Sequence, residues 1–196
     1  MAALSHREAV VAALAGYAPR SVPAGDATRA AVLVPLRPSA EQPGELDLVL
    51  TRRTAGLVAH AGQVSFPGGR VEPGDPSAEA TALRETEEEL GVPASKVELV
   101  GRLDELLTIV TDYHIVPVVG LLAEDVALVP APREVARVFG VPLREMLRPE
   151  LWQRHEVVRD ERAFRVWRFP YEGEDIWGAT AARLRGFIEL LWRSQP

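Results

Sequence analysis

Four glutamates crowd into five residues of this chain: Glu85, Glu87, Glu88 and Glu89. Carboxylates at one-turn spacing on a helix repel each other and destabilise it, so a cation beside them would offset that cost. A divalent metal ion is the strongest candidate, because it takes several carboxylate oxygens at once. The alternative is a solvated acidic face, which most glutamate-rich helices carry, and the four residues alone do not separate the two.

The residues around the cluster predict the helix that carries it. Asp75 suits the N-cap position and Pro76 the first helical position. Gly91 can end the helix, and Pro93 lies just beyond it. The predicted helix therefore has about four turns.

This helix is expected to have a packed face and a carboxylate face. At about 100° per residue, Leu83, Thr86 and Leu90 form one stripe, which we expect to face the core. The cluster, apart from Glu87, falls together about 120° away from that stripe.

Flanking residues favour a metal over a solvated face. Arg84 can reach Glu88, four residues on, and orient its carboxylate. Upstream, residues 66–69 read Phe-Pro-Gly-Gly and predict a glycine turn. Glycine there lets a ligand or a metal approach main-chain carbonyls closely.

These residues resemble the signature of the Nudix hydrolases: a glycine, an acidic residue, Arg-Glu, a short gap, Glu-Glu, one residue and a glycine. The matching positions, within a segment of about 69–92, are Gly69, Arg84, Glu85, Glu88, Glu89, Gly91 and Val92. Asp75 stands where glutamate is usual, with a spacer to Arg84 one residue longer than in the commonest form, and Thr86 replaces an aliphatic residue. Many fixed positions coincide, so the match is specific.

The expected chemistry is metal-dependent hydrolysis with Mg²⁺ or Mn²⁺ as cofactor. We expect Glu85 and Glu89, one turn apart, to be the primary metal ligands, and the resemblance adds the main-chain carbonyl of Gly69. Glu88 is either a third ligand or the group that orients water. Arg84 supports the cluster structurally and electrostatically.

A second pattern precedes the first. Residues 50–54 (Leu-Thr-Arg-Arg-Thr), Gly62 and residues 66–69 resemble a segment of the coenzyme A pyrophosphatases. Val49 and Val58 depart from that pattern, the second by replacing an arginine that could have contacted phosphate. The resemblance implies cleavage of coenzyme A or a derivative into 4'-phosphopantetheine, or its acylated form, and adenosine 3',5'-bisphosphate.

Two other functions stay open on the sequence. One is a broader hydrolase of nucleoside-diphosphate-linked compounds, acting on ADP-ribose, NADH or a dinucleoside polyphosphate. The other is a nucleotide-binding module that kept the fold and lost catalysis, against which the intact glutamates argue. Free and acylated coenzyme A cannot be told apart, because no recognisable motif marks an acyl-facing surface.

Residues outside the helix complete the predicted site. Glu134 lies where related enzymes often place an additional catalytic glutamate, although it could instead cap a helical turn. Arg53, Arg52 and Arg70 are candidates for phosphate contacts, and Arg53 matches the arginine of the second pattern. Lower-ranked candidates for the outer catalytic role are Asp104 and Glu105.

Helices and strands must position these side chains. An amphipathic helix is expected over residues 4–17, with Leu4, Val10, Val11 and Leu14 apolar. The other expected elements are strands at 30–36, 46–52, 97–103, 115–122 and 138–141, a helical turn at 143–147, a hairpin joining 153–158 to 164–169, and a helix at 179–192.

Pro117 predicts that its strand lies at an edge or carries a bulge. Helices before, within and after mixed strands predict layers of helix, sheet and helix. The resemblance implies the same fold class, an α+β protein with a Nudix-type α/β/α sandwich and a mixed sheet. Each of the four tryptophans is expected to be buried.

Composition narrows the remaining choices. A chain of 196 residues, 47% hydrophobic and 26% charged, suits one globular domain, which we expect to span residues 1–196. It has no cysteine for a disulfide framework, no apolar run of about 18 residues and no signal-peptide pattern, so a cytoplasmic location is expected. A net charge of −6 argues against nucleic acid as a partner. The expected partner is a small molecule, and a homodimer would fit the resemblance.

Overall fold

A computed structural model describes residues 5–55, 62–108, 111–159 and 162–194. Its helices are α1 (His6–Ala15), α2 (Ala78–Leu90), α3 (Leu143–Met146) and α4 (Gly178–Ser194), with short 3-10 turns at Ala94–Lys96 and Pro149–Leu151. Its strands are β1 (Thr28–Pro38), β2 (Leu46–Arg53), β3 (Val64–Ser65), β4 (Gly68–Arg70), β5 (Val97–Arg102), β6 (Leu106–Leu107), β7 (Tyr113–Leu122), β8 (Val135–Pro142), β9 (Gln153–Arg159), β10 (Arg162–Tyr171) and β11 (Glu174–Trp177).

A mixed sheet forms the centre of the molecule. β1 pairs parallel with β7 and antiparallel with β2, and β8 and β5 lie outside β2 and β7. β1 and β2 pair directly only near one end, where Leu36 lies opposite Leu48. Beyond it, β4 pairs with β1 and β3 pairs with β2. The glycine turn therefore fills the opening between the two diverging strands.

Both faces of this sheet are covered. Alternate residues of a strand point to opposite faces, so Val49 packs with Ala82 and Leu90 of α2, while Leu48 and Leu50 pack into a second cluster. That second cluster also contains residues of α1, α4 and the small antiparallel sheet of β9, β10 and β11. The layers confirm the predicted α+β sandwich with a mixed sheet.

The start of α2 differs from the prediction. Its N-cap is Ser77, whose hydroxyl accepts a hydrogen bond from the Ala80 amide at 3.2 Å. Asp75 is not the cap, because its carboxylate is held by Arg84 instead. The predicted end is confirmed: Gly91 adopts a left-handed conformation with φ of 67°.

The buried face of α2 is also rotated from the predicted stripe. Thr86 and Leu90 are buried as predicted, but Leu83 is only half-buried and Glu89 is 3% exposed. Glu89 therefore points inward toward the strands and is separated from the exposed Glu88. The helix lies across β1 and β4, and this placement brings Glu89 beside the glycine turn.

Three further predictions about elements were wrong. Pro117 lies on β7, inside the sheet, opposite Val32 of β1. On the side of β7 away from β1, the pairing is interrupted at Pro117, because β5 ends before it and β6 begins after it. The Pro117 carbonyl accepts from the Leu103 amide at 3.0 Å. Proline is tolerated at this position because no strand there needs a backbone N–H from it. Val11 is 38% exposed on α1, and Trp177 is 39% exposed because β11 turns its alternate residues outward.

Some predicted features lie outside the residues that the structure describes, and some observed strands were not predicted. Leu4 and Val58 lie outside the described residues, as does the tip of the hairpin at 160–161. β3, β4, β6 and β11 were not predicted as strands. Among the helices of the described ranges, none is both long and apolar enough to cross a membrane.

Candidate active site

Glu85 and Glu89 lie against the glycine turn between β3 and β4. The Glu85 carboxylate packs on Gly69 so closely that a Cβ on that residue would overlap it. The Gly68 amide donates to Glu89 Oε2 at 3.4 Å, and Arg53 Nη1 lies 3.3 Å from Glu89 Oε1. The two glutamates, the turn and the end of β2 therefore meet at one place.

The electrostatics of this place disfavour negative charge. Burial is the main reason that the pKa of Glu89 rises to about 7; the Arg53 guanidinium opposes the rise, and the carboxylates of Glu85 and Glu134 add to it. Burial also raises the pKa of Glu85, against the lowering effect of Arg84. Two glutamates whose ionisation is opposed by burial and by neighbouring carboxylates favour the approach of a cation.

Arg84 connects α2 to the chain before it. Its guanidinium donates to Asp75 through two nitrogens, at 3.1 and 3.0 Å, and to the Arg70 carbonyl at 3.0 Å. It also lies 3.0 Å from Glu85 and 3.3 Å from Glu88. The hydrogen bonds to Asp75 are the largest cause of the raised pKa of Arg84, and Arg84 in turn lowers the pKa of Asp75. This agrees with the predicted reach of Arg84 to Glu88.

Glu134 is tied to the cluster through the backbone. The Thr54 amide donates to its carbonyl at 2.9 Å, and the Ala131 amide donates to the Glu89 carbonyl at 2.9 Å. Glu134 lies in an exposed turn directly before β8. The Glu134 and Val135 amides both donate to the Ala131 carbonyl, at 3.0 and 2.9 Å, so Glu134 closes a single hydrogen-bonded turn, in keeping with the capping alternative. The negative charge of Glu134 contributes to the raised pKa of both Glu85 and Glu89.

The three predicted phosphate-binding arginines lie in different surroundings. Arg53 faces the cluster. Arg52, the neighbouring residue of the same strand, points to the opposite face of the sheet and pairs with Glu174 at 3.2 Å. Arg70 is exposed, and its Nε donates to the Tyr113 hydroxyl at 2.7 Å. Adjacent residues of a strand face opposite ways, so of Arg52 and Arg53 it is Arg53 that contacts the glutamate cluster.

Asp104 and Glu105 belong to another part of the molecule. Asp104 accepts from the Arg20 backbone amide at 2.8 Å and from its guanidinium at 2.7 Å, and Glu105 lies 3.0 Å from His114. Glu105 also accepts from the Val22 amide at 2.9 Å, so both carboxylates hold the segment before β1 against the loop after β5. That role is structural, and nothing in these contacts joins them to the glutamate cluster.

The carboxylates around the glycine turn have the chemistry of a divalent-ion site. In the described parts of the chain, no three acidic or histidine side chains are already arranged to hold one, and Arg53 and Arg84 pair with Glu89 and Glu85. The donors nonetheless fit in chemistry: Glu85 and Glu89 offer hard oxygens one turn apart, and together with Asp75 and Glu88 they make four carboxylates that share only two arginines.

The comparisons with known proteins give the family. A family model described as the NUDIX domain matches residues 27–161. The chain belongs to the Nudix family. Proteins described as "Uncharacterized Nudix hydrolase NudL" from Yersinia pestis (strain Pestoides F) and Yersinia pseudotuberculosis serotype O:1b (strain IP 31758) are each 42% identical to it over 159 residues, which is 80% of this chain and 76% of theirs.

Solved Nudix structures agree on the fold. The MutT protein from Methanosarcina mazei Go1 covers 91% of this chain and 97% of its own, with a TM-score of 0.52 and 19% identity. A MutT/nudix family protein from Enterococcus faecalis covers 91% of this chain and 65% of its own, with a TM-score of 0.53 and 16% identity. Nudix hydrolases generally use divalent metal ions, in keeping with the carboxylate donors described above.

The pairing of Asp75 with Arg84 is the contact that sequence reasoning missed. Asp75 was assigned to the helix cap, whereas it holds Arg84 and also accepts from the Thr81 hydroxyl at 2.8 Å. The available signal was the pairing of an acid with an arginine nine residues later. Capping preferences concern the first turn of a helix, so they do not predict a contact between residues nine positions apart.

Proposed function

We propose that this chain hydrolyses the pyrophosphate bond of coenzyme A or a derivative, giving 4'-phosphopantetheine (or its acylated form) and adenosine 3',5'-bisphosphate. The observation that carries the proposal is the 3.3 Å contact between Arg53 and Glu89. Arg53 belongs to the pattern that resembles the coenzyme A pyrophosphatases, and Glu89 belongs to the Nudix signature. Their meeting supports a single site built from both patterns.

In the proposed site, Glu85 and Glu89 hold a divalent ion, together with the Gly69 carbonyl and Glu88 as a further ligand or water-orienting group. When bound, that ion neutralises the pyrophosphate and acidifies a water. Arg84, fixed by Asp75, keeps the carboxylates of Glu85 and Glu88 in place.

The remaining roles fall to side chains around the ion site. Glu134 is exposed beside the cluster and accepts the proton of the attacking water, whose oxygen forms the new bond to phosphorus while the bridging P–O bond breaks. Arg53 exchanges its contact with Glu89 for the phosphate oxygens, which guanidinium groups bind in a forked geometry. Arg70 lies at the exposed rim beyond the turn and is proposed as a secondary phosphate contact.

A substrate panel tests the proposal. Purified protein is incubated with coenzyme A, 3'-dephospho-coenzyme A, NADH and ADP-ribose, each with Mg²⁺, with Mn²⁺ or with chelator, and the products are separated. We expect metal-dependent cleavage of coenzyme A well above the other three, abolished by Glu89→Gln.

Two other outcomes would redirect the assignment. A preference for ADP-ribose or NADH would keep the hydrolase chemistry and replace the substrate with a broader nucleoside-diphosphate compound. Binding without any turnover would make the chain a nucleotide-binding module.

We also propose that residues 1–196 act as one domain in the cytoplasm. Light scattering on the full chain distinguishes a monomer from a homodimer.

A further inference from the structure

Two arginines share one buried carboxylate on the face of the sheet opposite the glutamate cluster. Arg52 of β2 and Arg137 of β8 stand directly opposite each other in the antiparallel register. Glu174 of β11 lies between them: its Oε1 accepts from Arg52 at 3.2 Å and from Arg137 at 2.7 Å. We call these three residues the arginine pair and its carboxylate.

The arginine pair is held in place and remains accessible. The Glu174 side chain is 4% exposed, whereas those of Arg52 and Arg137 are 42% and 41% exposed. The Arg137 guanidinium also lies over the Phe139 ring, 5.5 Å from its centroid. Each guanidinium has five N–H donors and uses one nitrogen, Nη1, for Glu174, so donors remain for a further acceptor.

The charges do not balance. Like charges directly opposite each other on neighbouring strands are destabilising, and one carboxylate offsets only one of the two arginines. Within the described ranges, Glu174 is the one acidic partner of both. On a chain of net charge −6, a fixed pair of guanidinium groups with one surplus positive charge is suited to an anion with several oxygens.

The pair lies at the same strand ends as the glutamate cluster. Arg53, which contacts Glu89, is the next residue after Arg52, and Glu134 is three residues before Arg137. The Thr54 amide joins the two strand ends through the Glu134 carbonyl. The arginine pair and the cluster therefore lie at the same end of β2 and β8, one on each face of the sheet.

We infer that Arg52 and Arg137, positioned by Glu174, bind a phosphomonoester dianion of the substrate and so select substrates that carry a phosphate besides the pyrophosphate. This inference rests on the proposed function, in which that group is the 3'-phosphate of coenzyme A. Arg137 and Arg52 are the binding groups, and Glu174 is a positioning residue.

The test compares two substrates that differ only in this phosphate. Steady-state constants are measured for coenzyme A and 3'-dephospho-coenzyme A with Mg²⁺, for the wild type, Arg137→Gln, Arg52→Gln and Glu174→Gln. Arg137→Gln is expected to raise KM for coenzyme A about tenfold, with kcat and the KM for 3'-dephospho-coenzyme A near wild type. Arg52→Gln and Glu174→Gln are expected to reduce the same preference.

Arg168→Gln is the matched control. Arg168 pairs with Asp175 at 2.6 Å on the same small sheet as Glu174. Its substitution shows whether disturbing that sheet alone affects catalysis, and it should leave the substrate preference unchanged. If Arg137→Gln weakens both substrates equally, or neither, the pair is a structural clamp and the inference is overturned.

A binding measurement separates this inference from the proposed function. Calorimetry on the metal-free protein compares adenosine 3',5'-bisphosphate with adenosine 5'-monophosphate. Binding of the bisphosphate about tenfold tighter or more, lost in Arg137→Gln, supports the inference whether or not coenzyme A is cleaved. Equal binding of the two nucleotides overturns it even if coenzyme A is the substrate.

Discussion

Gly69→Ala is expected to disable metal-dependent turnover while the fold stays nearly as stable as before. A Cβ at position 69 would overlap the Glu85 carboxylate. The obstacle is the far end of a flexible side chain, so Glu85 can move aside by leaving its preferred rotamer, which costs about 0.5–1.5 kcal/mol.

The effect on activity is expected to be far larger. A catalytic group displaced by about 1 Å loses roughly 100-fold in rate, and Glu85 is a proposed metal ligand. We expect kcat/KM with Mg²⁺ to fall by about that factor or more, while the free energy of unfolding changes by about 1 kcal/mol.

Two neighbouring glycines serve as controls in the same assays of urea unfolding and turnover. A Cβ on Gly74 meets no atom within 4 Å, so Gly74→Ala should resemble the wild type in both. A Cβ on Gly68 would overlap the backbone of Ala31, and its φ of 152° strains any other residue; Gly68→Ala should lose about 2–4 kcal/mol of stability. Wild-type turnover in folded Gly69→Ala would refute the reasoning.

Further predictions concern charge. In metal-free protein, burial raises the pKa of Glu89 to about 7, above its value in the unfolded chain. Between about pH 4.5 and 7 the folded state therefore binds more protons at Glu89 than the unfolded state, and the free energy of unfolding falls as pH rises through that range. Glu89→Gln should therefore be more stable than the wild type above pH 7, by on the order of 2 kcal/mol, and the gain should vanish below about pH 5; a constant difference across pH would contradict this. Glu79 pairs with Arg102 through two nitrogens, and this pairing lowers its pKa to about 2. The stabilisation of the folded state by this ion pair is present above about pH 4.5 and is lost as pH falls toward 2. Glu79→Gln should therefore lower the free energy of unfolding by about 0.5–1 kcal/mol at pH 7, a range reduced because the pair is partly exposed to solvent, and by progressively less in acid. Added Mg²⁺ should raise the midpoint of thermal unfolding of the wild type more than that of Glu89→Gln, and equal shifts would place the ion elsewhere.

The helix and its carboxylates were predictable because helical period and end signals are local. The spacing of Arg84 and Glu88 on one helix was enough to predict their contact at 3.3 Å. Which glutamate points inward was not, since the burial of Glu89 depends on how α2 lies across β1 and β4.

Other features depended on contacts distant in sequence. Asp75 satisfies a local capping preference, yet the guanidinium of Arg84 outcompetes the helix end for its carboxylate. Pro117 is tolerated inside the sheet only because β5 and β6 leave their ladder interrupted beside it. The separation of Arg52 from Arg53 could have been foreseen, because adjacent residues of a strand face opposite ways.

The most direct test of the central claim is mass spectrometry of the products formed from coenzyme A by the wild type and by Glu89→Gln, with Mg²⁺ and with chelator. The account predicts 4'-phosphopantetheine and adenosine 3',5'-bisphosphate from the wild type with Mg²⁺ alone, and neither product from the other three reactions. Cleavage at a different bond, or equal cleavage by Glu89→Gln, would contradict it.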